Sequence, residues 1–108
     1  MPTAYKSLGQ VEPSATTLTT LYTVPGATAA IASTLAVCNK GVATTFRVAL
    51  RVGGGAVADK DYIVYDAPIV ANDTRFLTIG LTASATDVVS VYAGTADVSF
   101  NLSGSEIS

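Results

Sequence analysis

The sequence predicts an all-β protein, an antiparallel β-sandwich of about eight strands. Three observations carry this reading. Apolar residues recur with a period of two, as in Phe46, Val48, Leu50 and Val52 against Thr45, Arg47, Ala49 and Arg51. That alternation marks a strand with one face buried and one face wet. Turn residues such as Pro25-Gly26, Asn39-Lys40-Gly41, Asn72-Asp73 and Gly94-Thr95 punctuate the chain at roughly ten-residue intervals, the rhythm of a sandwich or barrel. Thr and Val, both weak helix formers, are abundant, and no stretch keeps a helical period. The expected strand order is jelly-roll-like, with an immunoglobulin-like sandwich as the alternative. The length suits one domain, residues 1–108, with a single core.

Tyr5 to Val11 reads as an edge strand or as part of an extended N-terminal arm over residues 1–14. Lys6, Gly9 and Gln10 make it a poor core strand, and such a segment is able to reach a neighbouring subunit. Pro13 then ends it, because proline cannot donate to a ladder. Thr17 to Val24 is a strand whose apolar residues Leu18, Leu21, Tyr22 and Val24 break alternation once, which predicts a bulge near Thr19–Thr20.

Thr28 to Val52 is expected to form a long hairpin reversing at Asn39-Lys40-Gly41, since Asn and Gly tolerate positive φ. In its first arm Ile31, Ser33, Leu35 and Val37 would share one face, and Ala30, Ala32, Thr34, Ala36 and Cys38 the other. Gly53-Gly54-Gly55 predicts a flexible loop. It lacks the Gly-Lys-Ser/Thr ending and following helix of a phosphate loop. Tyr62 to Asp66 is a strand that Ala67-Pro68 ends or bends. Thr74 to Leu81 follows, with Arg75, Leu77, Ile79 and Leu81 on one side. Asp87 to Ala93 and Val98 to Leu102 complete the set, and Ser103 to Ser108 reads as a polar tail.

Charged residues make up 13% of the chain, against about 25% in an ordinary soluble domain. Small Thr, Ser, Ala and Gly side chains take their place. So little surface charge gives copies little mutual repulsion. Surfaces hidden in an assembly explain it, and a compact Thr/Ser-coated monomer is the bland alternative. The net charge is −2 and the six cations are scattered, so no basic stripe follows a nucleic-acid backbone. The first residues lack the basic and apolar regions of a signal peptide, and no apolar run is long enough to span a bilayer. The expectation is a soluble protein made in a cytoplasm, with neither nucleic acid nor membrane as partner.

The chain contains no histidine and one cysteine, Cys38. That removes His-based acid–base and nucleophile systems, His-ligated metals and the usual structural zinc sites. Cys38 is expected to be a buried, inert thiol within a strand. Asp59 and Asp61 would point the same way in an extended segment, but calcium wants about six to eight oxygens, and a solvated loop suits the pair better. Asp66 with Asp73 is a conceivable glycosidase pair that nothing singles out. The expectation is therefore no catalytic residue, no cofactor and no metal. Arg47 and Arg51 project from the polar face of their strand and are candidates to pair with acids of an adjacent subunit. The bland reading is a pair of solvated arginines. Tyr5 and Lys6 of the first segment are further interface candidates.

Several pieces carry a resemblance. They are Leu8-Gly9-Gln10, Leu21-Tyr22-Thr23-Val24-Pro25, Leu35-Ala36-Val37-Cys38-Asn39-Lys40-Gly41, Thr45-Phe46-Arg47-Val48-Ala49, Asp59-Lys60-Asp61-Tyr62-Ile63 and Gly104-Ser105-Glu106-Ile107. Together they resemble small β-rich virion proteins of tailed bacteriophages, over nearly the whole chain. The resemblance implies a non-enzymatic structural protein of the virion, made in the bacterial host cytoplasm, that decorates or cements the capsid or builds the neck, tail or fibres. It implies a homo-oligomer, with a trimer as the favoured form, whose partners are other virion proteins such as major capsid, neck or tail proteins. No active site comes with it. The alternative is a carbohydrate- or receptor-binding module of a phage fibre, with Tyr22, Tyr62, Tyr65 and Tyr92 offering flat surfaces to sugars. A small hydrolase built on paired carboxylates ranks last.

Overall fold

The computed structural model describes residues 3–108. Eight strands run as β1 (Thr3–Val11), β2 (Thr19–Thr23), β3 (Ala29–Asn39), β4 (Thr44–Arg51), β5 (Tyr62–Ile69), β6 (Thr74–Ala83), β7 (Val88–Ala93) and β8 (Val98–Ile107). Sheet A has the order β1-β8-β3-β6, and sheet B the order β2-β7-β4-β5. The two four-stranded antiparallel sheets pack together as a sandwich.

Pairing mirrors the sequence. β1 pairs with β8, β2 with β7, β3 with β6 and β4 with β5. The chain is thus one long hairpin of strand pairs, rolled so that successive pairs fall alternately in sheet A and sheet B. The β3–β8 and β4–β7 ladders then complete the sheets. This is a jelly roll, and its order differs from that of an immunoglobulin sandwich.

The core lies between the inner faces. Leu35, Val37, Phe100 and Leu102 come from sheet A, and Phe46, Val48, Val89 and Val91 from sheet B. Phe46 and Phe100 meet across the gap edge-to-face, with ring centroids 6.2 Å apart. Period-two burial in β4 puts Phe46 and Val48 inside, with Leu50 packed against the core, as alternation predicts.

Five expectations need correction. The Thr28–Val52 hairpin does not form: β3 belongs to sheet A and β4 to sheet B. Asn39 sits at the corner between them, 1% exposed. Its amide nitrogen donates to the carbonyls of Val42 at 2.8 Å and Val70 at 3.1 Å, and its carbonyl oxygen accepts from the Gly41 N–H at 3.0 Å. A buried amide satisfied in this way fixes a change of sheet rather than a tight reversal.

The faces of β3 also swap midway. Ala30 and Ala32 are buried, then Leu35 and Val37, because the register shifts at Ser33 against both neighbours. Of the two outcomes expected at Ala67-Pro68, an end or a bend, the end does not occur: β5 continues to Ile69. β5 is an edge strand, where a missing N–H leaves no ladder partner unpaired. The Ser103–Ser108 tail is strand as far as Ile107, since β1 and β3 flank it on both sides. Cys38 is half-buried and outward-facing rather than buried, because Val37 and Asn39 take the inward positions.

Bulges run across both sheets. In sheet A, Leu8 of β1 and Ser33 of β3 are extra residues against β8, and the β6 residues Ile79 and Gly80 face Ser33. In sheet B the break in β2 falls at Leu21, one residue beyond the Thr19–Thr20 expectation. Each bulge bends its strand and deepens the local twist.

Candidate functional site

Two surfaces stand out, the outer faces of the two sheets. On sheet A, cross-strand register sets the outward rows. Gln10, Asn101, Ala36 and Phe76 form one row, and Ser7, Ser103, Thr34 and Thr78 the next. Ser99, Cys38 and Thr74 lie on one side of these, and Tyr5, Ser105, Ile31 and Thr82 on the other. Not one of these residues is charged. The charges of the same strands, Lys6, Arg75 and Glu106, fall in the alternate rows. Phe76 is 72% exposed at one edge of the face, and Tyr5 is 85% exposed at the other. A shallow depression of ≈ 540 Å³ crosses the bulge line among Tyr5, Ile31, Ser33, Ser103 and Ser105, with Lys6 the one charged residue on its wall.

Lys6 and Glu106 form an ion pair of 2.7 Å, and the Tyr22 hydroxyl donates to the same carboxylate. The Lys6 ammonium, with the Tyr22 hydroxyl second, holds the Glu106 carboxyl below the usual range. Burial, then the Glu106 bond, raises the Tyr22 phenol above its ordinary value. Tyr22 is buried, so it offers no surface to a sugar. Lys6, an interface candidate, already has a partner within the chain.

On sheet B the outer face gathers charge and aromatic rings. Arg47 of β4 lies between two tyrosines, its guanidinium carbon 4.2 Å from the Tyr65 centroid and 4.3 Å from that of Tyr92. Asp66 accepts two hydrogen bonds from Arg47, at 2.7 and 3.3 Å. That hydrogen bond raises the Arg47 pKa further above its ordinary value. Consecutive strand residues normally face opposite ways. Tyr65 and Asp66 both reach Arg47 because the β4–β5 register breaks there, two residues facing one, with Asp66 at φ 54°. Asp tolerates this left-handed conformation better than most residues. Arg51 donates to the Ser90 hydroxyl at 3.2 Å and to the Gly55 carbonyl at 3.2 Å. Both arginines are therefore engaged within the chain.

Beside this cluster, Tyr62 and Tyr65 meet edge-to-face at 4.9 Å and 83°. With Asp59 they wall a depression of ≈ 430 Å³. Asp59–Asp61 is a 3₁₀ turn with no buried residue, so the two carboxylates do not share an extended segment, and the Ala58 N–H donates to the Asp61 carboxylate at 2.9 Å. Among the described residues no group of three or more Cys, Asp or Glu is placed to hold a metal ion. Asp66 is committed to Arg47, which leaves the Asp66–Asp73 pairing without a free carboxylate on one side. The triple-glycine loop is tied down: the Gly53 N–H donates to Asp87 at 2.8 Å, and the Ser84 N–H to the same carboxylate at 2.9 Å.

Sequence reasoning missed Asp66 as the partner of Arg47 and Phe76 as an outward aromatic. The signal for the first was an Asp within a strand-forming run, where Asp is depleted and marks irregularity. No protein-family model and no curated protein matches the chain.

Proposed function

We propose that the protein is a non-enzymatic structural protein of a tailed-bacteriophage virion, which associates with copies of itself and with other virion proteins through the outer face of sheet A. One observation carries the reading: four adjacent strands present rows of small, uncharged side chains edged by Phe76 and Tyr5. The surface of a free domain carries about 25–35% charged residues, and aromatic residues are enriched where proteins meet. The jelly-roll order is one that viral capsid domains use, among others. Fold alone does not assign function, so the uncharged face and the resemblance bear the weight. A threefold ring is the form we favour, since the resembling cement and fibre proteins are commonly trimeric. Assembly in the virion places the protein there after synthesis in the host cytoplasm.

The test introduces charge on the face at an exposed position. Phe76→Glu removes no core contact, and the variant should fold as the parent does. Light scattering should find the parent as an oligomer and the variant as a monomer. Labelled antibody on purified particles should decorate virions. A monomeric parent that never appears on particles would defeat the proposal.

A further inference from the structure

We infer that the depression walled by Asp59, Tyr62 and Tyr65 on sheet B is a binding site for a neutral pyranose, the terminal sugar of a glycan. This does not rest on the assembly reading, because the site and the uncharged face lie on opposite sheets.

Four observations converge. First, the volume of ≈ 430 Å³ falls within the range of about 300–1,000 Å³ usual for small-ligand sites. Second, Tyr65 is 59% exposed yet held rigid by Arg47 on its ring and Tyr62 at its side. A large apolar ring fixed in place costs little entropy when a ligand lands on it. Third, Asp59 is exposed and takes part in no ion pair among the described residues. Its carboxylate is an acceptor for hydroxyl donors. Fourth, the turn that carries Asp59 is pinned by the Ala58–Asp61 hydrogen bond, so acceptor and rings keep a fixed relation.

The chemistry of the walls selects among ligands. An anion is repelled by Asp59 and gains nothing from Arg47, whose charge Asp66 already neutralises. A quaternary ammonium seeks the faces of several rings. Here Arg47 already holds the cation position on Tyr65 and repels a second one. A wholly apolar ligand would strip water from the Asp59 carboxylate without replacing it. A pyranose meets each requirement. Its axial C–H face lies on a tyrosine ring, and its hydroxyls donate to the carboxylate and exchange hydrogen bonds with the phenols.

The experiment is a titration of isotope-labelled full-length protein, followed by amide chemical shifts. The probes are the methyl glycosides of glucose, galactose and mannose, free N-acetylglucosamine, and tetramethylammonium chloride. At least one sugar should shift amides within residues 58–66, saturating near about 1 mM, the range of a shallow single-sugar site. Tyr65→Ala should weaken that sugar at least about tenfold, and Asp59→Asn by a similar factor. Both side chains are exposed, so the remaining amide spectrum should stay that of the folded parent. Phe76→Glu should bind the sugar unchanged, which separates this site from the assembly face. The inference is overturned if no sugar shifts these amides, if only tetramethylammonium does, or if Tyr65→Ala binds as the parent does.

Discussion

Glu106 is the residue at which charge and burial meet. Its side chain is 15% exposed, pairs with Lys6, and accepts from the buried Tyr22 hydroxyl. Both partners favour the ionised form, so its folded pKa lies below its unfolded one. A group depressed in this way stabilises the fold at pH above its unfolded value, about 4.3 for glutamate. That contribution is lost as pH falls through the lower folded value. Glu106→Gln should therefore lower the melting temperature at neutral pH, and the gap to the parent should close as the solution is acidified below about pH 4. Thermal melts across the acid range check this; a gap that stays constant would mean that Glu106 acts through packing alone. Phe100 is the corresponding apolar residue, fully buried and set edge-to-face on Phe46 of the other sheet. Phe100→Ala should cost about 3–5 kcal/mol, read as a lower denaturant midpoint.

Among the elements, the corner between β3 and β4 decides the topology. The Asn39 side chain is buried and bonds to the carbonyls of Val42 and Val70, so it joins the turn after β3 to the end of β5. Asn39→Ala leaves those carbonyls without that donor and should cost about 1–3 kcal/mol. Urea titration of the variant measures it, and a loss below about 0.5 kcal/mol would show that water replaces the amide. Asn39 also shows what could be read beforehand. Its type marks a change of direction, and Asn-Lys-Gly does turn the chain. Whether the chain returns along its own strand or crosses to another sheet depends on Val70, about thirty residues on, which no local pattern reveals. Alternation in β4 was legible because the period of two is a property of one strand. The face swap at Ser33 was not, since a bulge exists only relative to a partner. Gly104 has a cause of the same kind. A methyl group there would overlap the Ile31 carbonyl, so the bulge line needs glycine opposite Ala32. Only the register explains why. On the site side, the expectation for Arg47 is an acid on an adjacent subunit, whereas the structure pairs it with Asp66 of its own chain, across a strand pair that no local pattern draws.

At the scale of the molecule, mirrored pairing sets an order of loop closure. The β4–β5 connection spans only Val52 to Asp61, whereas β1 and β8 bracket nearly the whole chain. Closure entropy grows with loop length, so the innermost pair is the least costly to form first. β3–β6 and β2–β7 then close progressively wider loops around it, and the terminal pair comes last. Non-local pairing throughout places the folding rate in the millisecond-to-second range typical of sandwiches. A polarised transition state follows, structured at the β4–β5 pair. Val48 of β4 is fully buried and faces Val64 of β5 and Val91 of β7. Leu102 of β8 is equally buried but faces Gly9 and Leu35. Val48→Ala should slow refolding, because its contacts belong to the nucleus. Leu102→Ala should instead speed unfolding and leave refolding nearly unchanged. Stopped-flow chevrons on the two variants separate these outcomes. The reverse pattern would place the nucleus at the chain ends, and rolling from the inside outward would then be the wrong account of how this sequence reaches its fold.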